Sequence, residues 1–253
     1  MQTKRILVTN DDGIGAPGLN ALEQAMMPLG EVTVVAPDSE RSGASQSITL
    51  YQPLRVKLLD NHHYAVAGTP TDAVILALYQ ILPEKPDLVV SGINPGANLG
   101  ENLIYSGTVA AAQEGALHGV PAFAVSLATR RSQDFSAAAS FAAELAGKIL
   151  KEGLESGIAL NVNVPPGEIR GVRLTRQSQK LSQNLVQKKE DPRGKPYFWL
   201  DETLVRRTAE PDSDYAAIFD HEISITPLEV DRTHHGSLNH LSSWLPELVR
   251  NRK

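Results

Sequence analysis

The chain has 253 residues, 42% of them hydrophobic, and contains no cysteine. This length and composition predict a folded protein with a large core, and they exclude disulfides, thiolate zinc sites and a cysteine nucleophile. The net charge is −5 and the charges are interspersed, which argues against duplex nucleic acid as a partner. Because the sequence shows no signal-peptide pattern and no apolar run of about 18 residues, we expect a cytoplasmic protein that does not enter a membrane.

Strand and helix patterns alternate through the first two thirds of the chain, which predicts parallel strands joined by crossover helices. The predicted strands are residues 5–9, 31–36, 47–50, 54–59, 64–67, 87–91, 122–126 and 158–164. The predicted helices are residues 18–29, 71–82, 108–118 and 135–152. The short strands between residues 47 and 67 suggest a small antiparallel insertion. The fold class is therefore α/β with a mostly parallel sheet.

The pattern changes after Arg170, where proline-bearing polar loops separate short strand candidates. Residues 172–175, 197–200 and 223–226 are expected to be antiparallel strands of an extension, and residues 237–250 a terminal helix. We thus predict a single domain over residues 1–253, divided into a core (1–170) and a β-rich extension (171–253). The basic run near Lys188 is interpreted as a solvated hairpin or subunit arm. Its neighbours Tyr197, Phe198 and Trp199 suggest contacts in a homo-oligomer.

The first predicted strand ends in Asn10-Asp11-Asp12-Gly13. Ligands bind outside the carboxyl ends of strands in open α/β sheets, and two adjacent carboxylates there repel each other unless a cation neutralises them. A helix-capping loop is the alternative, because Asx residues and glycine are common before helices.

Other polar loops also follow predicted elements. They are residues 36–45, rich in hydroxyl groups, residues 91–100, with two asparagines and three glycines, and residues 105–108, which precede a helix of small residues. Ser106 or Thr108 can cap that helix, whose free N–H groups form a phosphate cradle. A polar turn and a plain helix cap are the alternatives for the first and last of these loops.

The oxygen donors of these loops predict a metal site. Carboxylates of Asp11 and Asp12, the hydroxyl of Ser42 and the amide oxygen of Asn94 suit a hard cation such as Mg²⁺, Mn²⁺ or Ca²⁺. Phosphoryl chemistry is the natural use of such a site beside a helix N-terminus. The sequence lacks the GxSxG, GxxxxGK and GxGxxG signals of other α/β enzymes.

The segments TNDDG (9–13), VAPDSERSGAS (35–45), GTPTD (68–72), SGINPGANLG (91–100) and YSGTVAAAQEG (105–115) occur in this order. Together they closely resemble the SurE family, the bacterial and archaeal survival proteins that act as 5′-nucleotidases. The resemblance continues through residues 160–166, 175–178 and 224–227 and thins between 179 and 214. It implies a Rossmann-like three-layer core, and an extension used to assemble a homodimer or homotetramer.

The resemblance also implies an activity and the residues that carry it. The activity is metal-dependent hydrolysis of nucleoside 5′-monophosphates, and 3′-nucleotides or polyphosphate are further candidate substrates. The implied metal ligands are Asp11, Asp12, Ser42 and Asn94. The implied phosphate pocket is formed by Asn10, Asn98, Ser106, Gly107 and Thr108. Asp11, Asp12, Asn94 and Ser106 are the candidate catalytic residues.

Several alternatives remain open at this point. Water attack and a covalent aspartyl-phosphate both fit the residues. A non-catalytic nucleotide or phosphometabolite sensor would use the same metal pocket. An acyl or glycosyl hydrolase with Asp11 as base would remain active when the metal is chelated.

Overall fold

The computed structural model of the protein describes residues 3–179, 182–204, 210–245 and 248. In chain order the strands are β1 (Arg5–Thr9), β2 (Glu31–Pro37), β3 (Val56–Leu58), β4 (His63–Val66), β5 (Leu88–Pro95), β6 (Ala122–Leu127), β7 (Ile158–Val164), β8 (Gly171–Leu174), β9 (Ser182–Glu190), β10 (Pro196–Leu204) and β11 (Glu222–Glu229). The helices are α1 (Pro17–Met26), α2 (Pro70–Leu76), α3 (Gly107–Leu117), α4 (Ser136–Glu152), α5 (Asp214–Phe219) and α6 (His235–Ser242). None of the described helices is both long and apolar enough to span a membrane.

One mixed sheet forms the centre of the described structure, with the strand order β3-β4-β2-β1-β5-β6-β7-β11-β8. The strands from β4 to β7 in this order all run parallel. Counted along the chain, these parallel strands follow the order 3-2-1-4-5-6 of a doubly wound Rossmann-like fold. The order reverses between β1 and β5, and a crevice forms at such a point. The predicted α/β class with a mostly parallel sheet is confirmed.

The strands alternate their side chains between two apolar layers. Ile6 and Val8 of β1 pack with α1 and α4 on one face, whereas Leu7 packs with α2 and α3 on the other face. Helices therefore cover both faces of the sheet, as the predicted three-layer core requires. On the first face, α1 lies so close to β5 that a Cβ atom on Gly18 would be 2.0 Å from the carbonyl oxygen of Ile93.

The connection through α4 has the opposite hand to its neighbours. The steps from β5 to β6 and from β6 to β7 proceed in the same direction across the sheet, yet α3 and α4 lie on opposite faces. The step from β1 to β2 through α1 runs in the opposite direction across the sheet from the step through α3, and α1 lies on the opposite face from α3. Because both are reversed, the two connections have the same hand. Since crossovers are almost always right-handed, α4 forms the exceptional left-handed one. Sequence periodicity does not encode handedness, so this feature could not be predicted.

The predicted insertion differs from the structure. Residues 47–50 form no strand, and β3 covers only Val56–Leu58 of the predicted 54–59. The strands β3 and β4 are antiparallel to each other, but β4 pairs in parallel with β2. The pair therefore extends the main sheet. The reason is that β2 has an open edge whose N–H and C=O groups β4 satisfies.

The predicted antiparallel extension also needs correction. Both β8 and β11 join the main sheet, where β11 is antiparallel to β7 and β8 is parallel to β11. Only β10, which contains the predicted strand 197–200, pairs with β9 in a separate antiparallel hairpin. The hairpin predicted around Lys188 is thus confirmed, as is the exposure of Tyr197, Phe198 and Trp199, at 40%, 60% and 59%. The predicted terminal helix, residues 237–250, corresponds to α6, which begins at His235 and ends at Ser242. Part of the predicted remainder lies outside the described residues.

An ion-pair cluster on the β4 side gives the fold a pH dependence that can be measured. His63 contacts Asp60 through Nδ1 at 2.7 Å and Glu23 of α1 through Nε2 at 3.0 Å. Burial opposes protonation of His63, but these two carboxylates outweigh it and raise its pKa above 6.5. The stabilising contribution is therefore present below about pH 6.5 and is lost as the pH rises through the raised value.

We expect His63→Gln to destabilise the protein at pH 5.5, by about 1 kcal/mol because the pair is partly exposed, and to have little effect at pH 8.5. Urea unfolding at the two pH values tests this, with His62→Gln as the matched control in the same loop. An equal loss at both pH values would show that His63 acts through packing rather than charge.

Candidate functional site

The candidate site lies where the strand order reverses, at the carboxyl ends of β1 and β5. The loop after β1 carries Asp11 and Asp12, and Asn94 lies near the end of β5. Asn10 shapes the first loop: its Nδ2 donates to the carbonyl of Gly13 at 3.1 Å, and its Oδ1 accepts from the Gly13 N–H at 3.2 Å. Both polar atoms of this buried side chain thus have partners within the loop. The direct contribution of Asn10 is to hold the turn that presents the two carboxylates.

Asp11 is packed against the N-terminus of α3. Its Oδ1 accepts a 2.5 Å hydrogen bond from the hydroxyl of Thr108, and only 5% of the residue is exposed. A Cβ atom on Gly107 would lie 2.8 Å from the Asp11 Cβ and 2.9 Å from its Oδ2, so only glycine leaves room for the carboxylate. Burial raises the pKa of Asp11, and hydrogen bonds from the side chain and backbone of Thr108 oppose that rise.

Three of the predicted phosphate-pocket residues, Ser106, Gly107 and Thr108, lie at the start of α3. Ser106 is its N-cap, and its Oγ accepts from the Val109 N–H at 3.1 Å. Ser106 therefore caps α3, and its predicted contact with phosphate stays a prediction. The cap still leaves backbone N–H groups in the first turn, with the positive end of the helix dipole beside Asp11. An anion beside this helix end would meet favourable charge once the carboxylates are neutralised.

Asp12 is the most unusual carboxylate of the site. Its Oδ2 is buried and has no hydrogen-bond partner within the described residues. Burial, together with the negative charges of Asp11 and Glu40, raises the pKa of Asp12 to about 7, although the charge of Arg130 opposes the rise. An unpartnered, partly buried carboxylate beside a second one is the arrangement that a divalent cation stabilises.

The loop after β2 reaches the same place. The N–H of Arg41 donates to the backbone carbonyl of Asp11 at 2.7 Å. The next residue, Ser42, is exposed, and its hydroxyl donates to Glu40 Oε1 at 2.7 Å. The same loop is tied to the segment before α3, since the Ser45 N–H donates to the carbonyl of Tyr105 at 3.1 Å. Ser42 is thus adjacent in sequence to a residue that touches Asp11, but its hydroxyl bonds to Glu40.

Asn94 and Asn98 of the loop after β5 have different surroundings. The Nδ2 of Asn94 donates to the carbonyl of Gly96 at 2.7 Å, and its Oδ1 has no hydrogen bond within the described part of the chain. Asn98 is anchored in the sheet: its N–H donates to Asn163 Oδ1 and its Nδ2 to Ser126 Oγ, both at 2.8 Å. Its carbonyl accepts from the side chains of Asn161 and Asn163. Asn94 keeps an oxygen available, whereas Asn98 secures the loop.

Sequence reasoning missed several residues that act on this site. Ser126, Asn161 and Asn163 hold Asn98, and the alternation Asn161-Val162-Asn163 was the available signal, since both asparagines lie on one face of β7. Glu40 lies in the hydroxyl-rich loop 36–45, which was predicted to be part of the site without a role for this residue. Arg130 follows β6 at the same sheet edge, where its Nε would be 3.0 Å from a Cβ atom on Gly96. Its sequence context carried no signal of this position.

The residues present fit a hard divalent cation. Asp11 and Asp12 supply carboxylate oxygens, and Asn94 supplies an amide oxygen. Neither Asp12 Oδ2 nor Asn94 Oδ1 has a hydrogen-bond partner among the residues that the structure describes. No group of three or more His, Cys, Asp or Glu residues in the described ranges forms a metal cluster. A site here would therefore depend on hydroxyl, amide and water oxygens beside two carboxylates, which is typical of Mg²⁺ and Mn²⁺.

The close contact of Gly107 with Asp11 predicts the effect of one methyl group. We expect Gly107→Ala to destabilise the protein by about 1–3 kcal/mol, because its Cβ overlaps the buried carboxylate. Gly147→Ala in α4 is the control, since a Cβ atom there meets only Leu29 Cδ2 at 3.9 Å. That change should stabilise the helix by up to about 1 kcal/mol. Urea unfolding that gives both variants the same sign would contradict the proposed overlap.

The raised pKa of Asp12 predicts how the metal-free protein responds to pH. The ordinary value is 3.8, so ionisation of the folded carboxyl costs stability as the pH rises from about 4 to about 7. In EDTA at pH 8 we expect Asp12→Asn to raise the Tm by about 2–6 °C, or roughly 1–2 kcal/mol after allowing for partial exposure. At pH 4 the gain should vanish. Asp134→Asn is the control, because hydrogen bonds with Ser136 lower the pKa of that exposed carboxyl. An unchanged Tm for Asp12→Asn at pH 8 would mean that the Asp12 carboxylate is not destabilised.

Comparisons with known proteins agree on one family. Residues 6–184 match the family model described as "Survival protein SurE". A Legionella pneumophila (strain Lens) protein named "5′-nucleotidase SurE" is 49% identical over 247 residues, covering 96% of this chain and 98% of its own length. A protein of the same name from Methylococcus capsulatus is 47% identical, with the same coverage. The crystal structure of the SurE protein from Aquifex aeolicus superposes with a TM-score of 0.86 at 40% identity, covering 94% of this chain and 98% of that one. The chain belongs to the survival protein SurE family.

Proposed function

We propose that the protein is a metal-dependent 5′-nucleotidase, which hydrolyses nucleoside 5′-monophosphates to a nucleoside and phosphate. The names of its relatives support the nucleotidase activity. The observation that carries the metal dependence is the buried Asp12 Oδ2, which has no partner among the described residues and adjoins a second buried carboxylate. The experiment below also determines whether 3′-nucleotides and polyphosphate are substrates.

The proposed metal ligands are Asp11, Asp12, Ser42 and Asn94, with Mg²⁺ or Mn²⁺ as the preferred cation and Ca²⁺ as a further candidate. A bound divalent cation would neutralise the carboxylates and polarise the phosphoryl group. Ser42 would have to exchange its hydrogen bond to Glu40 for this role, and its exposed position permits the change. Asn94 needs no such exchange, because its Nδ2 is already satisfied by Gly96.

The chain's own groups would hold and orient the phosphate. The first turn of α3 presents its N–H groups. Gly107 has no side chain, which lets the Asp11 carboxylate pack against this helix end. The hydroxyl of Ser106 accepts from Val109, so its proton remains free to donate to a phosphoryl oxygen. Thr108 donates to Asp11 and thereby fixes the orientation of that carboxylate. Asn10 and Asn98 support this arrangement by holding the two loops.

Assembly is a further part of the proposal. We propose that the exposed Tyr197, Phe198 and Trp199 of the β9–β10 hairpin are covered in a homodimer or homotetramer. Large aromatic side chains clustered on one projecting hairpin are typical of an interface.

Phosphate release tests the proposed activity. Nucleoside 5′-monophosphates, 3′-monophosphates and polyphosphate are each incubated with Mn²⁺, Mg²⁺ or excess EDTA. We expect release from the 5′-monophosphates only when a metal is present, and a loss of at least about 100-fold in Asp11→Ala, which removes a ligand and the partner of Thr108. Asp60→Ala, in the exposed loop before β4 and outside the cavity beside Asp12, should retain full activity.

Three results would contradict parts of this proposal. Release that persists in EDTA would exclude the metal role and favour a hydrolase with Asp11 as base. Nucleotide binding without release under any metal would indicate a sensor. Full activity of Asp11→Ala would show that the reaction takes place elsewhere.

A further inference from the structure

A cavity opens directly beside Asp12, on the side away from α3. Its volume is about 400 Å³, which lies within the range of small-molecule sites. The residues that determine its chemistry are Ile14, Pro95 and Phe135, which are apolar, and Asp38, Ser39 and Gln133, which are polar. These residues belong to the loops after β1, β2, β5 and β6, so the cavity spans the crevice at the point of strand reversal.

Asp11 and Asp12 differ in how much free space surrounds their carboxylates. Asp11 is enclosed, because Gly107 and Thr108 of α3 pack directly on its side chain. Asp12 itself lines the cavity. A phosphate ester bound at the carboxylates therefore has room for its alcohol portion on the Asp12 side.

The charge of the cavity restricts what can occupy it. Asp12, Asp38 and Glu40 line it, and no Lys or Arg occurs among its lining residues. The proposed metal would neutralise Asp12, and Arg41 pairs with Asp38, but Glu40 keeps the lining acidic. An acidic lining disfavours a second phosphate and favours an uncharged group that carries hydrogen-bond donors. The apolar side chains of Ile14, Pro95 and Phe135 provide a surface for a flat ring.

Asp38 has the position of a sugar-binding carboxylate. It directly follows β2, and in those doubly wound folds that bind dinucleotides an acidic residue accepts a hydrogen bond from the ribose. Its Oδ1 accepts from Ser39 Oγ at 3.0 Å and from Arg41 at 3.2 Å. Its Oδ2 has no hydrogen bond within the described ranges and is available for a ligand.

We propose that this cavity binds the nucleoside portion of the substrate, with the base against Ile14, Pro95 and Phe135 and the ribose donating to Asp38 Oδ2. The inference rests on the proposed nucleotidase function and adds where, and through which residues, the uncharged part of the nucleotide is recognised. It also assigns the preference for a monophosphate to the acidic lining.

The test measures binding of two separate probes, so that it does not depend on turnover. Adenosine, guanosine, cytidine and uridine report on the cavity, and inorganic phosphate with Mn²⁺ reports on the carboxylate site. Gln133→Trp fills the cavity from an exposed position, and Asp38→Asn removes the charge that accepts from ribose. The matched control is Gln52→Trp, the same substitution at another exposed glutamine that does not line the cavity.

We expect Gln133→Trp to raise the Kd for the preferred nucleoside at least about tenfold, and Asp38→Asn to raise it about three- to tenfold. The Kd for phosphate should stay within about twofold in both variants, and Gln52→Trp should change neither value. The Tm of each variant reports whether the fold is retained. If both cavity variants bind every nucleoside as the native chain does, or if the native chain binds none, the cavity is not the nucleoside site. If the native chain binds nucleosides in the cavity but releases no phosphate from nucleotides, the proposed nucleotidase function fails while the nucleoside site stands.

Discussion

The burial of two adjacent carboxylates at the carboxyl end of β1 is the constraint on which the site depends. Asp11 is 5% exposed and Asp12 has a buried oxygen without a described partner, so water relieves their repulsion only in part. The protein relieves only part of it, through the Thr108 hydroxyl, the N-terminus of α3 and the charge of Arg130. The remaining cost is what a bound cation would offset. The close packing on Asp11 also accounts for Gly107, since any side chain there would displace the carboxylate. The proposed function thus rests on an arrangement of carboxylates that is unfavourable by itself.

The site is held in place by strands that lie beyond it. Asn98 is bound by Ser126 of β6 and by two asparagines of β7. Asp214, fully buried at the start of α5, accepts from the Gly100 N–H at 2.8 Å and from the Ser178 N–H at 3.1 Å. The loop after β5 is therefore fastened to the C-terminal part of the chain, which makes that part a support of the site as well as a candidate for assembly.

The parallel core and the first loop were predictable because each depends on local patterns. The strand at Arg5–Thr9 is β-branched and ends in charged residues, and the donors Asp11, Asp12 and Asn94 come from loops next to apolar strands. Ser106 was predicted either to cap α3 or to bind phosphate, and its hydroxyl caps the helix, whereas the phosphate contact stays a prediction.

The features of the fold and site that could not be predicted depend on strand and side-chain partners that local sequence patterns do not specify. Whether β4 pairs with β2, or β11 with β7, is decided by which open edge each strand meets in three dimensions. The hand of the α4 connection and the closeness of Arg130 to Gly96 are likewise consequences of the assembled sheet. The anchoring role of Asn98 could not be inferred, because its partners are 28 to 65 residues away.

Anomalous diffraction from crystals of the protein grown with Mn²⁺ tests most directly whether the two buried carboxylates bind a cation. We predict one strong anomalous peak within coordination distance of Asp11, Asp12 and the Asn94 oxygen, with the Ser42 hydroxyl turned from Glu40 toward the metal. A map without a peak between the two carboxylates, or with the manganese bound only elsewhere, would show that the buried pair is stabilised by some other means.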